Sequence, residues 1–344
     1  MVSRVEQKVR MDPQRKFEHC FAGTAGARPP RFESEFSDEV VQAWRAAGYL
    51  DEHPPETYFH LDRREELGIH WRALPETKRP LETKADLEAF RRAYDPDAPG
   101  RFPEDWPQRA AQCRTRDYVL EIAPWNEGLF QIIGVTDGES LARALTALCE
   151  QPRLAEAAMD HYAGYLETVL ERFLADIRPD YAVFYEPIAS NHGPVISPSM
   201  YAHFALPALR RIVACLERHG VAARVVWSAG AVREFVPVWL DAGLNGLYLN
   251  QAGQAGVSYR ALRREFGPDL RLLGGIDWRA VVDGPEATDA FLDNEVVPLL
   301  ESGRYIPYLD DTVRGYMPFD HFVHYRWRLE DLIEMDIDLP LRST

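Results

Sequence analysis

The spacing of apolar positions changes character near residue 115. Before it the chain is irregular and rich in proline and charge, and only two stretches carry helical spacing. These are Asp38 to Ala47, with Ser37 placed as its cap, and Lys84 to Tyr94. The stretch Asp95 to Pro107 (DPDAPGRFPEDWP) reads as loop, because its prolines and glycine interrupt both the helical and the strand period. Beyond residue 115 short apolar runs alternate with longer segments of helical spacing. The runs predict strands at Tyr118–Ala123, Tyr181–Tyr185, Ala223–Trp227, Gly246–Leu249, Leu270–Leu273 and Tyr305–Leu309. The longer segments predict helices at Ser140–Glu150, Pro152–Asp176, Ser199–His219, Val232–Ala242, Tyr259–Phe266, Pro285–Glu301 and Pro318–Glu334.

Short buried strands alternating with helices imply a parallel sheet covered by helices. No G-x-G-x-x-G follows the first strands, which removes the dinucleotide fingerprint. The number of units and the length of 344 residues favour a closed (β/α)8 barrel of the TIM type over an open sheet. The expectation is one domain over 1–344, with an irregular N-terminal cap and first strands in 1–115 and the main barrel in 116–335.

Composition narrows the function. The formal net charge is −15 and the basic residues are scattered, which disfavours nucleic acid and anionic membrane surfaces as partners. No apolar run is long enough to span a bilayer, and the first residues lack the apolar core of a signal peptide, so a cytoplasmic location is expected. Cys20, Cys113, Cys149 and Cys215 are far apart, without a CxxC pair. Cys149 and Cys215 lie in helical apolar patterns and read as buried thiols. None of the ten histidines forms HExxH, and His321 and His324 read as a solvated face of an outer helix, so no metal site is expected.

In a barrel the residues just after each strand line the active site. That rule selects Trp125 and Glu127, then Glu186 and Asn191, Trp227 and Ser228, Asn250 and Gln251, Asp277, and Asp310 and Asp311, with Tyr305 on the last strand. Carboxylates at an apolar rim acquire raised pKa values, which suits acid or charge-stabilising work. Glu186, Asp310 and Asp311 are therefore the catalytic candidates, and the others are candidates for substrate contact. Pairing with an arginine or capping a following helix is the plainer reading of Glu186, but its position and residue type together favour function. Asp277 in GGIDW has the character of a turn or cap residue, and one of Asn250 and Gln251 that of a backbone latch. Asp310 and Asp311 are adjacent, so one of the two is expected to face the pocket.

Several segments carry a resemblance. EPIASNHGPVISPSMYAHFALPALRRIV (Glu186–Val213), with its GPVISP core (Gly193–Pro198), resembles a characteristic segment of the uroporphyrinogen decarboxylase superfamily. GGIDWRAVVDGPEA (Gly274–Ala287), GRYIPYLDDTVRGYMPFDHFVHY (Gly303–Tyr325) and GVTDGESLARALTALCEQPRLAEAAMDHY (Gly134–Tyr162) resemble further elements of it, in the same order. The resemblance implies a (β/α)8 barrel and two chemistries. One is metal-free decarboxylation of a porphyrinogen. The other is methyl transfer involving corrinoid proteins, thiols or tetrahydrofolate. The chain departs from both. The porphyrinogen branch opens with an arginine-rich motif, where Arg28–Leu50 here presents Glu33 and Glu35. The zinc-dependent methyltransferases carry H-x-C, where this chain has Trp227-Ser228-Ala229, and a late Cys, where it has Leu309, Asp310 or Asp311.

The texture of the chain is closer to the methyltransferase-like branch. The leading expectation is metal-free methyl transfer or demethylation on a small polar molecule, with no tightly bound cofactor and with a corrinoid (free or on a protein partner) or tetrahydrofolate as co-substrate. A decarboxylase of another carboxylate, and a non-catalytic ligand- or corrinoid-protein-binding barrel, are the competing readings. Homodimerisation across the barrel mouth is left open.

Overall fold

The computed structural model describes residues 12–49, 53–74 and 80–334. Seven parallel strands pair in chain order: β1 (Arg64–Glu66), β2 (Val119–Trp125), β3 (Tyr181–Tyr185), β4 (Ala223–Ala229), β5 (Gly246–Asn250), β6 (Arg271–Leu273) and β7 (Tyr305–Ile306). Each connection carries helix, as parallel pairing requires. The longest helices are α1 (Pro152–Asp176) and α2 (Pro198–Arg218). Together with the other helices they join the outward strand residues Leu120, Ile122, Ala182, Phe184, Val226, Leu247 and Leu272 in the larger core. The alternate residues Val119, Tyr181, Val183, Ala223, Val225, Leu273 and Ile306 face the other way and form a second, smaller core.

The sheet is curled, and this second core fills its concave face. A helix over Pro13–Ala22, which the spacing of apolar residues does not announce, closes one end. It sets Phe17, Cys20 and Phe21 against Phe32 and Tyr181, with the Phe17 and Tyr181 rings 5.0 Å apart. Arg271 Nε donates to the carbonyl of Phe21 at 3.1 Å, tying the plug to β6.

Between the two sheet edges runs the segment 31–36. Asp62 N, next to β1, donates to Arg31 O at 2.9 Å. Beyond β7, Ser34 Oγ donates to Leu309 O at 2.7 Å, Val313 N donates to Glu35 O at 2.8 Å, and Phe36 forms an isolated parallel bridge with Val313. Leu309 N instead reaches a side chain, the Glu33 carboxylate, at 3.0 Å. With a carboxylate taking the place of a ladder carbonyl, the segment is bonded to both edges without becoming a regular strand. Where an eight-stranded barrel is expected from sequence, the described residues form a curled sheet of seven strands with this irregular segment across the gap.

Most expected elements coincide with observed ones, and the exceptions have local causes. The helix expected over Pro285–Glu301 is Pro285–Phe291, then a π turn at Leu292–Val296, then Val297–Ser302. Pro298 lacks the N–H that would continue the α ladder, and the wider turn accommodates its ring. The Val232–Ala242 segment starts as a 3-10 turn at Arg233–Phe235 and becomes α-helical only from Val236, one residue before Pro237. Cys215 is buried as expected, but Cys149 is exposed near the end of its helix. His321 and His324 are half-buried rather than solvated. Their rings bond Val282 O at 3.0 Å and Asp289 Oδ1 at 2.9 Å.

Candidate functional site

Strand alternation decides which predicted residues meet the concave face. On β3, Tyr181, Val183 and Tyr185 point inward, so Glu186 turns outward. Its side chain is 2% exposed and lies in the helix-packing layer. Trp125 Nε1 donates to it at 2.6 Å and Leu129 N at 3.3 Å, and the Tyr201 hydroxyl also bonds it. Burial outweighs these donors and lifts its pKa from 4.5 to about 7. Trp125 is fully buried on the same side. Ser228 is buried as well, its hydroxyl donating to the carbonyl of Glu186. These three residues form a latch behind the sheet, in the helix-packing layer and not among the side chains of the concave face.

The late carboxylates hold loops. Asp310 is 1% exposed and accepts from Trp278 N at 3.3 Å and from Gly253 N. Burial first, then Asp277, raises it from 3.8 to about 7. Asp311 accepts from Gln251 Nε2 at 2.9 Å and from Thr312 N at 2.7 Å. Gln251, at φ 53°, donates its backbone N–H to Asp310 O at 2.9 Å. Asp277 caps the helix Trp278–Val282 and grips Arg279. Tyr305 is buried outward with its hydroxyl on Gly274 O at 3.0 Å. Asn191 is exposed at the tip of a small hairpin formed by Ala189–Ser190 and Gly193–Pro194.

Of the predicted residues, Trp227 and Asn250 do share the parity of the inward side chains. With them the structure brings together groups that the strand-end rule passes over: Arg64 and Glu66 on β1, Glu121 on β2, Tyr185 on β3, Tyr248 on β5, and Tyr308 just after β7. Glu66 and Glu121 stand opposite each other in register, as do Tyr185 and Trp227, and Trp227 and Tyr248. The Tyr185 and Trp227 rings lie 5.3 Å apart, tilted, and Tyr248 and Tyr308 meet edge-on at 5.4 Å. Arg64 lies over the Phe32 and Tyr308 rings at 5.1 and 5.4 Å and donates to the Tyr308 hydroxyl at 3.3 Å. Tyr248 hydrogen-bonds both Ser34 and Tyr308, and Tyr181 donates to Glu121. Arg64, Glu121, Tyr185, Trp227, Tyr248 and Asn250 nevertheless keep partial exposure, so they border accessible space.

The electrostatics differ along the face: the phenols are buried, whereas Glu66 at the end of β1 is exposed. Burial pushes the hydroxyls of Tyr181, Tyr185, Tyr248 and Tyr308 above the ordinary phenol value, so they stay protonated. Burial pulls Arg64 down, but Tyr181, Tyr308 and Glu121 more than offset it, and the guanidinium stays charged. Glu66 is raised by partial desolvation and then by Glu121, against a smaller lowering by Arg72.

Glu33 has a different part from the one its sequence position implied. It is buried, 2.9 Å from Arg326 and 3.0 Å from the Tyr325 hydroxyl. It therefore helps close the fold and presents no free charge to a ligand. For zinc, the positions matching the H-x-C and late-Cys ligands offer an indole, a hydroxyl already spent on a backbone carbonyl, and carboxylates spent on loops. This is not a thiolate and imidazole donor set. Among the described residues the one grouping with metal-ligand spacing is Glu171, Cys215 and His219, on outer helices. There Glu171 is already bonded to Arg218 and His219. No helix among the described residues is long and apolar enough to cross a membrane.

No family model matches the chain, and no curated protein matches it. Solved structures do. A protein from Listeria monocytogenes assigned as a vitamin-B12 independent methionine synthase is 14% identical, with 90% of this chain and 98% of that chain covered, at a TM-score of 0.39. A methyltransferase from Methanosarcina mazei is also 14% identical, with 93% of this chain and 99% of that chain covered, at a TM-score of 0.60. The chain therefore shares the fold of that methyltransferase over nearly its whole length.

Proposed function

We propose that the protein is an enzyme of the methyl-transfer type working in the recess on the concave face of the sheet, at the C-terminal ends of the strands. One observation carries this reading. Chemically capable groups from β1, β2, β3, β4, β5 and the end of β7 converge on one recess, while the carboxylates outside it are consumed by local bonds. The fold shared with a methyltransferase supports the choice of reaction class. In this reading segment 31–36 is the eighth stave of a (β/α)8 barrel of the uroporphyrinogen decarboxylase superfamily.

Tyr185, Glu121 and Glu66 are the groups that meet the substrate, Trp227 is a wall, and Asn250 supplies an acceptor at the rim. Glu186, Asp310 and Asp311 position the β3 end and the late loops. The partner in transfer is a small molecule, with tetrahydrofolate or a corrinoid as co-substrate and a corrinoid protein as its carrier.

The experiment uses methyl donors labelled with carbon-13, methylcobalamin and 5-methyltetrahydrofolate, with thiol and amine acceptors, followed by NMR. Movement of the label is expected, with Tyr185→Phe or Glu121→Gln lowering kcat at least about tenfold, the scale of one acid/base or hydrogen-bonding group. Carbon dioxide release without methyl movement would instead establish the decarboxylase. No turnover in either direction, with ligand binding intact, would leave a binding barrel.

A further inference from the structure

We infer that the recess takes a cationic head group, an ammonium or sulfonium, seated between the Glu66 and Glu121 carboxylates and the Tyr185 and Trp227 rings. The inference rests on the reading of the recess as the working site, and it names the class of molecule that enters.

The first argument is the charge inventory of the concave face. Among the described residues it holds two carboxylates, Glu66 and Glu121, and one guanidinium, Arg64; Arg72, which faces Glu127 at 4.0 Å, also acts on Glu66. Arg64 is already committed to the rings of Phe32 and Tyr308 and to the Tyr308 hydroxyl, on the side of the closing segment. Neither glutamate forms an ion pair among the described residues. Glu121 accepts a hydrogen bond from Tyr181, and Glu66 forms no hydrogen bond among the described residues. Two carboxylates facing each other across adjacent strands repel. Although Glu66 is exposed, its carboxyl is raised, first by partial desolvation and then by Glu121, against a smaller lowering by Arg72. A cation between them removes the repulsion.

The second argument concerns the remaining open groups. Asn250 Oδ1, at the rim end of β5, is buried without a hydrogen-bond partner. A buried carbonyl left unpaired loses its hydration without return and so marks a place for a donor. With Glu66 and Glu121 it makes three acceptors on one face, whereas Arg64 is the single charged donor group among the described residues of that face.

The third argument is the wall. Tyr185 and Trp227 are partly exposed neighbours whose rings border the recess. Aromatic faces attract ammonium and sulfonium groups, most strongly when desolvated. The phenols stay neutral because burial raises their pKa, so the ring faces keep this character at neutral pH.

The test compares three ligands of one shape on the intact protein by titration calorimetry: choline, the neutral 3,3-dimethylbutan-1-ol and the anionic 3,3-dimethylbutanoate. Tetramethylammonium serves as a smaller cation. Expected is saturable binding of choline or tetramethylammonium at least about tenfold tighter than that of the neutral isostere. Glu66→Gln and Trp227→Leu each weaken it about tenfold with the circular dichroism spectrum unchanged. Preference for the butanoate, which would give the site to Arg64, overturns the inference. So does equal binding of alcohol and choline, absence of cation binding, or cation binding that both variants leave intact. The methyl-transfer reading fails separately. If cations bind as expected and no methyl group moves from any methylated substrate, the reaction is wrong and the cation site stands. If a neutral or anionic substrate is demethylated while cations do not bind, the reaction stands and the cation site falls.

Discussion

The Glu186 latch makes the stability of the protein depend on pH in a direction opposite to that of an ordinary ion-paired carboxylate. Burial lifts this carboxyl from 4.5 to about 7. At about 1.4 kcal/mol per pKa unit, that rise corresponds to roughly 3 kcal/mol. Below pH 4.5 the group carries its proton in both the folded and the unfolded chain, and the penalty is absent. Between pH 4.5 and 7 the unfolded chain gives up the proton while the folded chain keeps it, so stability falls as pH rises. Above pH 7 the whole penalty is present. Glu186→Gln removes this slope. Trp125 Nε1 still finds a carbonyl oxygen, and the new amide faces Leu129 N–H at a pH-independent cost on the order of 1 kcal/mol. The stability of the variant minus that of the wild type should therefore move by about 3 kcal/mol in favour of the variant between pH 4.5 and pH 8. Urea unfolding followed by tryptophan fluorescence across that range measures it. Contributions from Asp310, Glu66 and the histidines are common to both proteins and cancel in the difference. A difference that stayed constant within about 1 kcal/mol would show that Glu186 titrates like an exposed carboxyl, and the buried latch would be wrong.

Three further outcomes are expected. Arg326→Leu leaves Glu33 charged and without its ion partner inside the core; it should cost about 3–5 kcal/mol in urea unfolding, and adding Glu33→Gln should recover part of that loss. Gly128 has φ 67°, and a Cβ there would lie 2.9 Å from both Pro187 Cδ and Tyr185 O; Gly128→Ala should lower stability by roughly 1–3 kcal/mol, read as a lower thermal midpoint, and a midpoint equal to wild type would remove the close packing of that turn on β3. Of the four thiols only Cys149 is exposed, while burial pushes Cys20 and Cys215 up to about 12; DTNB should label one equivalent quickly in the native protein and four after denaturation, and a second fast equivalent would contradict the burial of Cys20, Cys113 or Cys215.

The strands between Val119 and Ile306 were legible because each carries an apolar run that both cores need. What the runs could not convey is parity. In YAVFYEP the first residue past the apolar run is Glu186, and counting strand ends selects it; counting by twos from Tyr181 selects Tyr185 and sends Glu186 outward. The same step separates Trp227 from Ser228 on β4, and there the indole is the inward member of the pair. β1 was hidden for a different reason. Arg64-Glu65-Glu66 has no apolar residue at all, and it is a strand only because Val119–Glu121 supplies its backbone partners. A charged strand runs against local preference, but β1 is the edge strand of the sheet, where Glu65 and Glu66 reach solvent. On one side Arg64 meets the Phe32 and Tyr308 rings. On the other side Glu66 has a second carboxylate opposite it and no bond of its own. The residue least expected from the hydrophobic pattern is thus also the one beside which the inferred cation would sit, exposed and opposite a second carboxylate.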